Sequence, residues 1–307
     1  DHVKIINDST VVTSDRLLYQ GEDRIAQLRE DVIYKRGYQE LYTDHLDYSL
    51  DTEVAYYYNG GQLIDTTNIL SSTLGYFYAK ENVARFYQSV VLQSPEFILK
   101  TDTLRYNTLT KIAYSFGPTE IIKKEGTTIY ADGGEFRTEI SQTKISSGNI
   151  ETSEYILDGD KLFFDDINQY YLGEGNVKLT SKENNLILLG DEGYHDKVNG
   201  YSKIYGNAIM KKIMKLDTFY IAADTMMAIE SEYDSVRRIL AYPDIRIFKM
   251  NVQGIADSSA YFLADSIIML YQNPVLWTGK NQVLSDTIAV FLNDSSIEKM
   301  DLKRNAF

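Results

Sequence analysis

Apolar and polar residues alternate along most of this chain with a period of two, the pattern of strands that bury one face. The alternation is clearest at Leu17 and Tyr19, Leu46 and Tyr48, Leu104 and Tyr106, and Leu162 and Phe164, which share parity within each segment. Each pair follows an anchor, at Asp15, Asp44, Ser72, Asp102, Asp132, Asp160, Asp191, Asp224, Asp257 and Asp286, and successive anchors are 28 to 33 residues apart. The residue before the anchor is small every time: Ser14, Thr43, Ser71, Thr101, Ala131, Gly159, Gly190, Ala223, Ala256 and Ser285. A fixed period of this size denotes one supersecondary unit stacked on itself. A second alternating run lies between anchors, as at 112–116, 204–209 and 245–247, so each repeat holds two strands. Turn residues such as Asn59-Gly60-Gly61, Gly117-Pro118 and Gly133-Gly134 separate them. The stretch 78–92 has some helical spacing, but its Val, Phe and Tyr content favours a strand.

Two strands per repeat, less short turns, gives strands of about twelve residues, or roughly 40 Å. A strand of that length in a single layer would leave its apolar face wet, so the pattern predicts that each strand bends and the sheet folds upon itself. The small residue before each anchor suits such a crease. The expected fold is all-β: about twenty antiparallel strands stacked into a trough or flattened barrel on the order of 95 Å long. The repeat leaves no place for a boundary, so one elongated domain is expected over residues 1–307. The run Ile297 to Phe307 reads as the return strand of the last repeat with no polar cap after it, so the natural chain is expected to continue.

Composition narrows the functional classes. A hydrophobic content of 44% supports a core, and 25 Tyr and 12 Phe beside only 4 Pro suit strands. The net charge of −13 argues against a nucleic-acid partner, which is held by a basic surface that displaces counterions. No stretch approaches the roughly eighteen apolar residues of a membrane-spanning helix. Zero Cys excludes disulfides and thiolate metal sites without fixing a compartment.

No catalytic or metal-binding constellation emerges, and no cofactor is implied. The anchor carboxylates, two strands apart, would sit roughly 10 Å from one another, too far to share a cation. They read as local hydrogen-bond acceptors at a bend, a role that the Ser72 hydroxyl can share. His2, His45 and His195 share no ligand spacing, and His195 holds an aromatic position, which suits a packed ring. Adjacent acids, Asp165-Asp166 and Asp191-Glu192, point to opposite faces of a strand and form no acid–base dyad. Gly173 to Val177 lacks the helix that a phosphate loop requires. What remains is the apolar row: Leu17, Tyr19, Leu46, Tyr48, Leu74, Tyr76, Leu104, Tyr106, Phe136, Leu162, Phe164, Met226, Tyr261, Ile288 and Val290. It reads either as ordinary core or as a continuous groove for acyl chains. Gly134, Gly193, Ala228 and Ser259 interrupt it.

The run Gly173 to Leu179, its weaker copy Tyr205-Gly206-Asn207-Ala208 and the small-Asp-x-Leu-x-Tyr strands resemble the organic-solvent-tolerance (OstA-like) family. That family includes the periplasmic lipopolysaccharide bridge protein, LptA-like, and the N-terminal domain of the outer-membrane lipopolysaccharide translocon. The segment Ile245 to Tyr261 followed by Asn273-Pro274-Val275-Leu276-Trp277 is similar to the longer members of the Bacteroidetes type. The resemblance implies a β-jellyroll folded over into a slit, with lipid A acyl chains inside against the Leu and Tyr row and the sugar outside. It also implies a periplasmic location with outer-membrane association, non-enzymatic transport of lipopolysaccharide, and partners that are other transport proteins or further copies joined by strand-edge pairing. The alternative is a structural or adhesive β-solenoid scaffold with a solid core.

Overall fold

The computed structural model describes residues 3–7, 9–230 and 237–306; His2 lies outside them. Among these residues every element is a strand, 28 in all, and the strand pairs are antiparallel. The chain divides into two compact units, Asp1–Ser146 and Ser147–Phe307, taken in turn below.

In the first unit the long strands are bent in the middle. The strand Ile25–Arg36 pairs with Arg16–Gln20 through its first half and with Thr10–Ser14 through its second. The break falls at Glu30 and Asp31, both with positive φ (62° and 48°). Left-handed pairs recur at the same place on alternate strands, at Asn59-Gly60 (64° and 106°) and Gln88-Ser89 (64° and 54°). Two unpaired residues, opposite one on the partner strand, bend a strand sharply, as in a bulge. Parity survives the crease on this strand, where Ala26 and Leu28 before it and Val32 and Tyr34 after it are buried, and reverses on its partner Gln39–Ser49, where Leu41 is buried before the crease and Leu46 and Tyr48 after it.

In the first four repeats the small residue lies in this crease, buried or half-buried, with its hydroxyl turned to a carbonyl. Ser14 Oγ donates to Arg16 O (3.0 Å), Thr43 Oγ1 to Gly60 O (2.7 Å), Ser72 Oγ to Leu74 O (2.8 Å) and Thr101 Oγ1 to Pro118 O (3.2 Å). By this equivalence Ser72 occupies the small position, and the anchor of the third repeat is Thr73. The backbone agrees, since Asp15 N donates to Glu30 O and Thr73 N to Gln88 O, both at 3.0 Å. The anchor expected at Ser72 is thus one residue early, because Ser71, Ser72 and Thr73 are chemically alike in sequence and only the crease distinguishes them. Nearby, the ring of Tyr57 lies between Gly61 and Gly75, where a Cβ on either glycine would collide with it, and its hydroxyl bonds Ser72 Oγ (2.6 Å).

The second unit repeats the device. Creases fall at Gly175-Asn176 (73° and 49°), Gly206-Asn207 (71° and 55°) and Gln272-Asn273 (63° and 56°). Smallness before the anchor is a steric demand here too: a Cβ on Gly190 would strike Ile204. The core runs through Leu188, Ile204, Met210, Phe219, Ile221, Met226, Ile247, Tyr261, Ile268, Leu276 and Ile288. Across the two units seven lines are broken at the crease into two short strands, such as Arg238–Tyr242 with Ile245–Lys249. The 28 strands thus form 21 lines, close to the about twenty that the repeat predicts.

Candidate functional site

The alternation places one apolar series inside each unit. Leu46, Tyr48, Leu104, Tyr106 and Phe136 are at most 2% exposed in the first unit; Leu162, Phe164, Met226, Tyr261, Ile288 and Val290 are at most 3% exposed in the second. Within the first unit, side chains of the two arms meet face to face: Tyr34, from one arm, makes edge contacts with Tyr48 (6.0 Å between centroids) and Phe77 (5.7 Å) of the other. Burial pushes the Tyr34 phenol up to about 12. The small residues that interrupt the row leave no gap at Gly134 and Gly193, whose inward sides meet Ile145 and Phe136, and Ile204 and Val177. Ser259 is itself buried and Ala228 packs on the core.

Four residues of the row lie elsewhere. Leu74 and Tyr76 point outward, because the anchor is Thr73 and the inward positions are Gly75 and Phe77. Tyr76 stacks on Tyr56 (4.6 Å) in an outer tyrosine row that continues to Tyr58 and Tyr78, with Arg29 over Tyr58 and Arg85 over Tyr78. Tyr19 is 50% exposed and Leu17 half-buried. Their strand, Arg16–Gln20, pairs only with Ile25–Arg36 among the described residues, so no second neighbour covers them.

The tips of the two arms in the first unit are joined by polar contacts between residues far apart in sequence. Tyr106 OH donates to Asp65 Oδ2 (2.9 Å), the Lys111 ammonium lies 2.5 Å from the same oxygen, and Asn68 Nδ2 donates to Tyr106 OH (3.4 Å) and Thr138 Oγ1 (3.5 Å). Asp65 is 1% exposed and Asn68 4%. Burial, followed by the Asp65 charge, raises the Tyr106 phenol well above its ordinary value. A second tie runs from Asn7 Nδ2 to Tyr48 OH (3.2 Å). In the second unit the tips meet through Lys215 N, which donates to Asp294 O (2.8 Å). This seam was not legible in the sequence, since the partners of Asp65 stand some forty residues on.

Three of the anchor carboxylates have partners across the strand ladder, while Asp102 and Asp224 accept from the neighbouring Thr103 and Thr225 hydroxyls. Asp160 and Asp191 accept from Asn176 and Asn207 (both 2.8 Å), and Asp286 accepts from Asn305 (3.1 Å). At these three the partner is the asparagine of the next crease, where local backbone was anticipated. Asparagine suits both tasks, since it tolerates the left-handed conformation and carries an amide donor. His195 is a packed ring, stacked on Tyr171 (5.6 Å) with Nδ1 3.0 Å from Ser202 Oγ. Of the adjacent acids, Asp165 caps a turn through Asn168 (2.9 Å), while Glu192 accepts from Tyr205 OH (2.6 Å) and holds that phenol up at about 12. No three His, Asp or Glu side chains among the described residues gather as a metal site would require, and no helix is long and apolar enough to cross a membrane.

Residues 1–102 match the family model of OstA-like proteins. Among solved structures, the crystal structure of LptH, described as the LptA-homologous periplasmic component of the conserved lipopolysaccharide transport device from Pseudomonas aeruginosa, has a TM-score of 0.33 and 13% identity. That match covers 35% of this chain and 81% of the other. No curated protein matches.

Proposed function

We propose that this chain, OstA-like over its first 102 residues, is a non-enzymatic carrier that moves lipopolysaccharide through the periplasm toward the outer membrane. The acyl chains would enter the folded-over sheet between the two arms of each rung. The observation that carries this reading is the apolar series that stays inward on both sides of the crease: Leu41 with Leu46 and Tyr48, and Leu99 with Leu104 and Tyr106, in one unit, and Leu162, Phe164, Met226, Tyr261 and Ile288 in the other, are all buried. Those side chains are closed from water. Loading therefore requires the arm tips to part, and the contacts of Asp65 with Tyr106 and Lys111 are what must break in the first unit. Neighbouring copies or other transport proteins would add at free strand edges: Val3–Asn7 and Arg16–Gln20 in the first unit, Asn281–Leu284 and Ile297–Lys303 in the second. Each of these pairs on one side only among the described residues.

The full burial of the interior favours one other reading, a structural scaffold with a solid core. A photo-crosslinking residue at position 104 or 162, with position 105 or 163 on the opposite face as control, separates the two. The carrier labels the acyl portion of added lipopolysaccharide from 104 and 162. Labelling confined to 105 and 163, or no lipid in native mass spectra after loading, leaves the scaffold.

A further inference from the structure

One outer sheet face of the second unit is apolar, although the inner face of the same strands already forms the core. On the strands Tyr201–Ile213, Thr218–Ile229, Ile245–Lys249, Val252–Ala256, Val275–Thr278 and Asn281–Leu284, the register aligns two outward rows. The first runs Lys211, Tyr220, Phe248, Gln253, Trp277, Gln282. The second runs Ile209, Ala222, Arg246, Ile255, Val275, Leu284. Phe248 is 51% exposed, Ile255 47%, Trp277 39% and Leu284 36%. Neither row contains a carboxylate, in a chain with 44 acidic residues and a net charge of −13. The charges present are the two cations, and the Lys211 ammonium lies 6.0 Å from the centre of the Tyr220 ring. At the end of the same strands two turns touch through Met250 N and Asp217 Oδ2 (3.0 Å) and carry Leu216 and Met250, 78% and 79% exposed.

We propose that this face docks on the surface of a lipid bilayer containing anionic headgroups. A sheet apolar on both faces normally has both covered, and a contiguous exposed apolar patch marks an interaction site. Trp, Tyr and Phe beside Lys and Arg is the mixture that partitions to the membrane interface, rings at headgroup depth and cations on lipid phosphates. A second copy seated on the same rows offers Lys211 and Arg246 no carboxylate from within those rows, whereas anionic headgroups supply that charge. The inference stands on these rows alone and does not depend on lipopolysaccharide entering the interior.

Trp277 is the only tryptophan in the chain and reports on the face directly. Intact protein is titrated with vesicles of phosphatidylglycerol and phosphatidylethanolamine doped with brominated phosphatidylcholine. Docking gives a blue shift of Trp277 emission and bromine quenching. Phe248→Ser with Ile255→Ser weakens binding several-fold, and Lys211→Glu with Arg246→Glu abolishes the preference over vesicles of phosphatidylcholine alone. Unchanged, unquenched wild-type emission at saturating vesicle concentration overturns the proposal. So does a blue shift that follows protein concentration without vesicles, which assigns the face to self-association. The wild-type measurement decides even if a variant fails to fold.

Discussion

The sharpest test of the seam in the first unit is to remove Asp65. Its carboxylate is 1% exposed and is the shared acceptor of the Tyr106 hydroxyl and the Lys111 ammonium, the latter 77% hidden from water. Asp65→Ala leaves a largely buried cation and a buried phenol without their acceptor, and breaking a buried pair from one side costs about 3–5 kcal/mol. Removing both charges together, as in Asp65→Ala with Lys111→Met, is expected to cost far less, since a buried ion pair replaced by apolar groups is often close to neutral. The two single changes and the double change form a cycle with a coupling energy of about 2–3 kcal/mol. The assay is hydrogen exchange at the amides of Phe97–Asn107 and Gly61–Asp65, read within the first unit because a chain of two units need not unfold in one step. The same variants report on loading: a weakened seam opens more often, so Asp65→Ala takes up lipopolysaccharide faster than the unaltered chain. A single-variant cost under about 1 kcal/mol together with a coupling under about 0.5 kcal/mol would refute the assignment of these residues as the tie between the arms.

Two further outcomes follow from the crease and the buried phenols. Gly75→Ala drives a Cβ into the Tyr57 ring and costs about 1–3 kcal/mol in thermal or urea unfolding; combined with Tyr57→Leu the loss is less than the sum, and strict additivity would speak against the contact. Burial holds Tyr34 and Tyr57 up at about 12 against an ordinary value of 10.0. Folding favours their protonated form, so their contribution is fully present below pH 10 and is lost as pH rises from there through about 12. The loss is roughly 2–3 kcal/mol for each, seen as a fall in unfolding midpoint between those pH values that Tyr34→Phe and Tyr57→Phe each reduce. A midpoint flat across that range in the unaltered chain would contradict it.

Much of the fold was legible because the repeat writes the same sterics many times over. Period-two alternation identified the strands, the anchor spacing identified the rungs, and parity alone placed Tyr48, Tyr106, Phe164 and Ile288 inside. Failures occurred where one repeat differs from the rest or where the cause is not local. Ser71, Ser72 and Thr73 are interchangeable as letters, and the shift from Thr73 to Ser72 reversed the faces of Leu74 and Tyr76. Tyr19 keeps the pattern but lies on a strand with one described neighbour, and burial depends on neighbours. Asp65 and Lys111 are 46 residues apart, and no periodicity brings them together. The outer row of Phe248 and Trp277 was masked by the inner row, since residues buried on one face leave no sequence mark of what the other face is for.

The two-residue crease has a consequence for how such a chain can change over evolutionary time. A single inserted or deleted residue there would turn one whole arm inside out, whereas gain or loss of a complete strand pair leaves every remaining residue in phase. The crease thus acts like a reading frame. It makes the number of rungs easy to vary and the crease itself hard to vary, so related chains would be expected to differ more in how many repeats they carry than in the two residues at each such crease.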